Sequence, residues 1–136
     1  EDNAYAIMRS KTGVVVMLNS SATQWRHRFN LDINLEKGSL ILGGLLTGTK
    51  SYGAETLKIV TSDPDNDKGD PKEQTTLYNK DNSWMEEINL FASYIKNNEL
   101  VSKGSSEDAL ETMRLVNKIY YNDIQWREKF QIPNPD

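Results

Sequence analysis

The residues best suited to bind a ligand are four neighbours, Trp25, Arg26, His27 and Arg28. Guanidinium groups can hold a carboxylate or a phosphate through paired hydrogen bonds. His27 is the single histidine of the chain, which excludes a His pair and a His-rich metal site. Its position between Trp25 and Phe29 favours a packing or interface contact over a role as a lone acid or base. We take these four residues as candidates for contact with a substrate or an interface.

A glycine-rich segment, residues 43–51 (GGLLTGTKS), approaches the phosphate-binding loop pattern. In that pattern the lysine directly follows the second glycine, whereas here Thr49 separates Gly48 from Lys50. The sequence also predicts no capped helix after the segment to supply a dipole. A plain loop or bulge is therefore the preferred interpretation.

An aspartate-rich segment resembles a calcium loop, with Asp63, Asp65 and Asp67 at alternate positions. The glycine arrives one position late at Gly69, and Gln74 stands where such a loop needs a bidentate glutamate. We interpret the segment as a solvated acidic turn. The residues alone thus predict no catalytic, cofactor-binding or metal-ligating group in this chain.

Alternating polarity is strongest over residues 25–36 (WRHRFNLDINLE), which predicts one long strand with an apolar and a polar face. Residues 14–18 are apolar at every position, which is typical of a central strand covered on both sides. Further strands are predicted at residues 3–10, 39–42, 56–61 and 74–78.

Two helices are predicted after the strands. Ser83 with Glu86, and Ser105 with Asp108, have the spacing of reciprocal capping pairs at helix starts. Apolar residues then recur at helical spacing, and the second helix is expected to end near Asn122. The two stripes consist of Trp84, Ile88, Phe91, Ala92 and Ile95, and of Ala109, Met113, Val116 and Tyr120.

This order of elements predicts an α+β fold. We expect a mostly antiparallel meander of about five or six strands, two C-terminal helices packed on one face, and the other face available for dimerisation. The 136 residues suffice for one domain over residues 1–136. Within it, residues 62–73 are expected to form an acidic Pro/Gly loop and residues 125–136 a C-terminal tail.

Charge and composition limit the partners and the cellular location expected of this chain. A formal net charge of -4 gives no general attraction for nucleic acid or an anionic membrane, so neither is an expected partner. We find no apolar run near the ~18 residues of a spanning helix and no leader pattern. The absence of cysteine fits a reducing compartment, and a cytoplasmic location is expected. A start at Glu1 without methionine suggests a trimmed protein or a piece of a longer one.

Taken together, the elements resemble the C-terminal domain of the Gfo/Idh/MocA oxidoreductases, the glucose-fructose oxidoreductase and inositol dehydrogenase family. The resemblance covers nearly the whole chain, and its order and spacing are more specific than any single piece. It rests on residues 2–42, 83–98 and 104–123, with Gly13 in a strand turn, the Glu36-Lys37-Gly38 turn and the helix start at Ser105.

The resemblance implies a two-domain parent enzyme that transfers a hydride between NAD or NADP and a sugar, cyclitol or nucleotide-sugar. The family's glycine fingerprint, its Glu-Lys-Pro tripeptide and its Asp-x-x-x-His segment are absent here and would lie upstream of Glu1. This chain alone is then expected to bind no cofactor and to perform no catalysis. It would supply the wall on the substrate side of the active site and a subunit interface, through which it forms a homodimer or a higher homo-oligomer. Its other expected partner is the N-terminal Rossmann domain of the parent enzyme, which is missing from this chain.

Two other interpretations remain open. One is a free-standing module that holds a protein partner on its sheet face or at a strand edge. The other is a small-ligand-binding domain centred on Trp25, Arg26 and Arg28.

Overall fold

The computed structural model describes residues 2–63, 65, 69–102 and 104–135. These residues form an α+β fold, as predicted, with six strands and three helices in the described part of the chain. The strands are β1 (Asn3–Arg9), β2 (Val15–Ser21), β3 (Asn30–Leu35), β4 (Gly38–Gly43), β5 (Glu55–Thr61) and β6 (Lys72–Tyr78). The helices are α1 (Ser83–Asn97), α2 (Ser106–Asn122) and α3 (Ile124–Phe130).

The strands belong to two antiparallel sheets, whereas the sequence predicted one meander. β1 pairs with β2, and a second sheet has the order β3-β4-β5-β6. The chain also divides into two compact units, Glu1–Ser21 with Glu86–Asp136, and Ala22–Met85. A single domain over residues 1–136 stays a prediction, and each unit is described by itself. None of the described residues is buried, so apolar surface is left open in both units.

The β1–β2 hairpin closes through the turn predicted at Gly13. The N–H of Ser10 donates to the Val14 carbonyl at 2.8 Å, and Gly13 has a φ of 92°, which glycine adopts without strain. The cross-strand pair Ile7 and Met17 is 77% and 79% exposed. The prediction of a covered central strand at residues 14–18 is therefore wrong for the described chain. An all-apolar run signals that a strand needs cover, but it does not say which chain supplies it.

The β3–β4 hairpin turns at Glu36 and Lys37, as predicted, and Leu35 pairs with Gly38. Gly38 has a φ of 150°, and a Cβ at this position would lie 2.0 Å from the Val60 carbonyl oxygen of β5. Only glycine permits this approach of two backbones. At this end of the sheet Gly38 therefore pairs with both Leu35 of β3 and Thr61 of β5.

β3 is shorter than the strand predicted over residues 25–36. Just beyond the first residue of β3, the N–H of Gly44 donates a hydrogen bond to the Phe29 carbonyl at 3.0 Å, and the pairing of the two strands ends there. Gly44 then takes a φ of 72° and turns the partner strand away. Residues before Phe29 have no facing backbone in the described sheet and leave the extended ladder. Alternating polarity in the sequence shows which side chains share a face. It does not show how far the partner strand extends, and the partner limits the length of the paired strand.

The sheet β3–β6 has two faces of different polarity. Residues paired across neighbouring strands share a face, so Leu31 shares one with Leu42 and Leu57. The opposite face contains the ion pair of Lys58 and Glu73, whose Nζ and Oε2 atoms lie 2.9 Å apart. The aliphatic residues of the first face, called the apolar sheet face below, are Leu31, Ile33, Leu35, Leu40, Leu42, Leu57 and Ile59.

α1 begins differently from the prediction. Ser83 is its first residue, and the Asp81 carboxylate accepts from both the N–H (2.9 Å) and the hydroxyl (2.6 Å) of Ser83. The Ser83 hydroxyl, followed by its N–H, lowers the pKa of Asp81 below its ordinary range. The predicted helix packing is matched only roughly, since the α1 stripe stays more than half exposed. Its exposed members are Trp84, Ile88, Phe91 and Ile95.

α2 begins with the predicted capping box. The Ser105 hydroxyl accepts from the N–H of Asp108, and the Asp108 carboxylate accepts from the N–H of Ser105. The predicted end at Asn122 is also confirmed.

The expected C-terminal tail at residues 125–136 instead starts within helix α3. Asp123 caps α3 by accepting from the N–H of Trp126, and Gln131 ends the helix in the left-handed conformation. Trp126 packs between aromatic rings, with centroids 6.2 Å from Tyr120 and 4.5 Å from Phe130. These local contacts stabilise a turn of helix where the later prolines suggested an irregular tail.

The acidic loop predicted at residues 62–73 is shorter than expected, because β6 begins at Lys72. Of the aspartates in the calcium-like pattern, Asp67 lies outside the described residues. No helix within the described ranges has the length and apolar character needed to cross a membrane.

Candidate functional site

A cleft of about 490 Å³ lies in the unit Ala22–Met85, beside the end of the sheet where β3 begins and β4 ends. Its volume is within the range of small-molecule sites in proteins. Three of the four residues singled out in the sequence contribute to it. The lining residues are Gln24, Arg26, His27, Arg28, Phe29, Gly44 and Tyr52.

Two backbone segments form the walls of the cleft. One is the irregular run before β3, and the other is the loop between β4 and β5. The hydrogen bond from Gly44 to Phe29 joins the segments at their base. A Cβ on Gly44 would lie 2.0 Å from the Ala54 carbonyl oxygen, so the loop can return this closely only past a glycine.

Side chains from the two segments approach each other across the cleft. The imidazole of His27 and the ring of Tyr52 have centroids 5.1 Å apart, with planes inclined at 35°. A Cβ built on Gly53 would lie 3.8 Å from Nη2 of Arg26, which places this guanidinium beside the same loop. One aromatic pair and one guanidinium group thus border a common space.

The cleft carries positive charge that the described residues do not neutralise. Neither Arg26 nor Arg28 forms an ion pair or a side-chain hydrogen bond within the described chain. Both side chains are exposed, so their donors are open to solvent and to a ligand. Such an arrangement can bind an anion through charge-assisted hydrogen bonds.

The glycine-rich loop has internal contacts of its own. The N–H of Lys50 donates to the Thr47 carbonyl at 3.0 Å, and the Glu55 carboxylate accepts from the N–H of Leu46 at 2.9 Å. The element that follows is strand β5 and not a helix. The plain-loop interpretation of residues 43–51 is therefore confirmed, because a phosphate-binding loop requires a helix N-terminus after it.

Trp25, the fourth candidate, is fully exposed and lies outside the cleft lining. Sequence reasoning missed Gln24, Gly44 and Tyr52 as neighbours of the arginines. A usable signal was present, since the start of one strand of an antiparallel hairpin lies beside the end of the other. The loop after β4 had to pass close to the residues before β3.

The apolar sheet face is a second candidate surface. Leu31, Leu35 and Ile59 are 45%, 59% and 38% exposed. Open aliphatic side chains grouped on one face of a sheet are typical of a protein interface.

Comparison of the chain with models of protein families, with curated proteins and with solved structures found no match. In the described chain, no group of three or more His, Asp or Glu side chains is placed to hold a metal ion.

Proposed function

We propose that this chain is an assembly and substrate-side domain of a cytoplasmic, two-domain NAD(P)-dependent oxidoreductase that resembles the Gfo/Idh/MocA family. It associates with a second copy through the apolar sheet face and performs no chemistry alone. The hydride transfer on a sugar, cyclitol or nucleotide-sugar takes place in the parent enzyme, whose Rossmann domain holds the NAD or NADP.

The observation that supports assembly is the difference between the two faces of the sheet β3–β6. The apolar face presents Leu31, Leu35 and Ile59 to solvent, while the opposite face carries the Lys58–Glu73 ion pair. Covering aliphatic surface contributes about 25 cal/mol for each Å² removed from water. The apolar sheet face groups seven aliphatic residues, whereas the opposite face has three, Ile41, Val60 and Leu77, so the apolar sheet face gains more free energy from a partner.

A second copy is the occupant that fits this face. The face is rich in aliphatic side chains, so two copies related by a twofold axis can bury the same residues against each other. Sheets pack face to face at a spacing of about 10 Å, which suits interdigitated leucine and isoleucine side chains. An isotope-filtered NOE experiment on a mixture of labelled and unlabelled chain tests this contact. We expect intermolecular NOEs at the methyl groups of Leu31, Leu35 and Ile59, and their absence in an associated sample would exclude this face.

The enzymatic part of the proposal comes from the sequence resemblance and has a separate test. Titration with NADH, followed by tryptophan fluorescence and calorimetry, should give no saturable binding to this chain. Saturable binding at micromolar NADH would place the cofactor site here and contradict the proposed division of labour. A glycine fingerprint about one domain upstream of Glu1 in the coding sequence would support the parent enzyme.

A second candidate function is a free-standing module for a small ligand or a protein partner. The cleft at Arg26 and Arg28 favours this alternative, because its charges are uncompensated within the described chain. An initiation codon immediately before Glu1 would support the module and oppose the oxidoreductase.

A further inference from the structure

We infer that the cleft between the β3 approach and the β4–β5 loop binds the phosphate group of a small molecule that carries a ring. The inference is independent of the assembly proposal, because all lining residues belong to the unit Ala22–Met85 and none is on the apolar sheet face. It assigns a ligand class to Arg26, His27 and Arg28.

Charge is the first argument. Arg26 and Arg28 line the same cleft with no ion pair to either within the described residues. The chain as a whole is acidic, with a formal net charge of -4, so a cleft with two unpaired guanidinium groups differs from the average surface. An anion that enters would meet two permanent positive charges.

The number of donors and their charge favour phosphate over carboxylate. Each guanidinium group has a planar set of donors that can bind two oxygen atoms of one anion. A carboxylate has two oxygens and one charge, which a single arginine can satisfy. A phosphate monoester offers three terminal oxygens and a charge near -2 at neutral pH, which matches two arginines. Gln24 also lines the cleft, and its side-chain amide has two further donors.

The aromatic pair suits a ring attached to the phosphate. His27 and Tyr52 form a tilted pair 5.1 Å apart on the wall that also includes Phe29. Aromatic surfaces contact flat or cyclic groups with little loss of side-chain freedom. The volume of about 490 Å³ accommodates a phosphate together with one ring. The close backbone approach at Gly44 brings the chain at Tyr52 and Ala54 back beside the end of β4, which places Tyr52 on this wall.

Titration of the ¹⁵N-labelled full chain with phenyl phosphate, at an ionic strength of about 0.1 M, tests the inference. We expect saturable shifts of the amide signals of Arg26, His27, Arg28 and Tyr52, with a dissociation constant in the millimolar range or below. Arg26→Ala and Arg28→Ala should each weaken binding by about tenfold or more, since each removes a charge-assisted contact. Arg26→Lys should also weaken binding, by a smaller factor, because lysine keeps the charge and loses the fork.

The control is Lys37→Ala, which removes one positive charge from an exposed position in the β3–β4 turn, at the other end of β3 from the cleft. It should leave the affinity within about twofold, because at about 0.1 M salt charges more than about 10 Å away are screened. An equal loss in Lys37→Ala and Arg28→Ala would reveal only a general charge effect and overturn the site. Unchanged amide signals of the β3–β6 ladder in each variant establish that the sheet is intact.

Two other probes separate the parts of the ligand. Benzoate keeps the ring and replaces phosphate by carboxylate, and inorganic phosphate keeps the anion without the ring. We expect both to bind more weakly than phenyl phosphate. Tighter binding of benzoate would overturn the assignment of phosphate, equal binding of inorganic phosphate would overturn the assignment of a ring, and no saturable shift with any probe would overturn the site.

Discussion

The rings of His27 and Tyr52 lie 5.1 Å apart, centroid to centroid, although 24 residues separate them in the sequence. The β3–β4 hairpin lies between them in the chain and brings them together. The contact connects the run before β3 to the loop after β4. It therefore defines the wall of the cleft on which the ligand assignment depends.

Removal of the Tyr52 ring should weaken phenyl phosphate binding. Tyr52→Ala loses the aromatic surface that faces His27, and we expect a loss in affinity of roughly threefold to tenfold, equivalent to about 0.5–1.5 kcal/mol. Tyr52→Phe keeps the ring and should bind within about twofold of the unchanged chain. An NMR titration measures both variants, and a larger loss for Phe than for Ala would contradict the role of the ring.

Gly44→Ala should destabilise the unit that contains the cleft. Gly44 combines a φ of 72° with a position where a Cβ would lie 2.0 Å from the Ala54 carbonyl oxygen. We expect a decrease of about 1–3 kcal/mol in the free energy of unfolding, measured with urea. Gly48→Ala is the matched control, since a Cβ there has no described atom within 4 Å, and its effect should stay within about 1 kcal/mol.

The start of α1 should weaken in acid. The hydroxyl and N–H of Ser83 lower the pKa of Asp81, so the ionised carboxylate is favoured in the folded state. Its contribution to stability is present above the pKa of the unfolded chain and is lost as the pH falls through the lower, folded pKa. In Ser83→Ala the pKa of Asp81 should rise toward its ordinary range, as carboxyl NMR can measure. Ser102→Ala, which removes a hydroxyl bonded to Tyr94, should leave the pKa of Asp81 unchanged.

The capping box at Ser105 should contribute to the stability of α2. Ser105→Ala removes the acceptor for the N–H of Asp108, and we expect a loss of about 1 kcal/mol in the free energy of unfolding. Ser106→Ala deletes a hydroxyl one residue later, where the contact is to Glu107 at 3.3 Å. Urea denaturation followed by circular dichroism should give a smaller effect for this control, and equal effects would refute the cap.

Local signals in the sequence predicted much of the fold. The turns at Gly13 and Gly38, the edge strand near residues 74–78 and the capping box of Ser105 follow from short-range stereochemistry, and the structure contains all of them. The α+β class follows from the order of these elements.

The errors arose where the outcome depends on distant partners. The pattern over residues 25–36 continues in sequence, but the ladder ends where Gly44 turns β4 away. The apolar run at residues 14–18 lies in a two-stranded hairpin, because hydrophobicity signals a need for cover and not its source. The sequence predicted only part of the candidate site, because the rest of its lining also depends on residues distant in the chain. Arg26, His27 and Arg28 are adjacent in sequence, while Tyr52 reaches them only through the hairpin.

Sedimentation velocity at tens of micromolar tests the assembly proposal most directly. We expect the unchanged chain, of 15.5 kDa, to sediment as a dimer or larger species. Leu31→Lys places a charge on the apolar sheet face and should yield monomer, whereas Asn34→Lys, on the opposite face of the same strand, should preserve association. A monomer for the unchanged chain, or equal dissociation by both variants, would contradict assembly through this face.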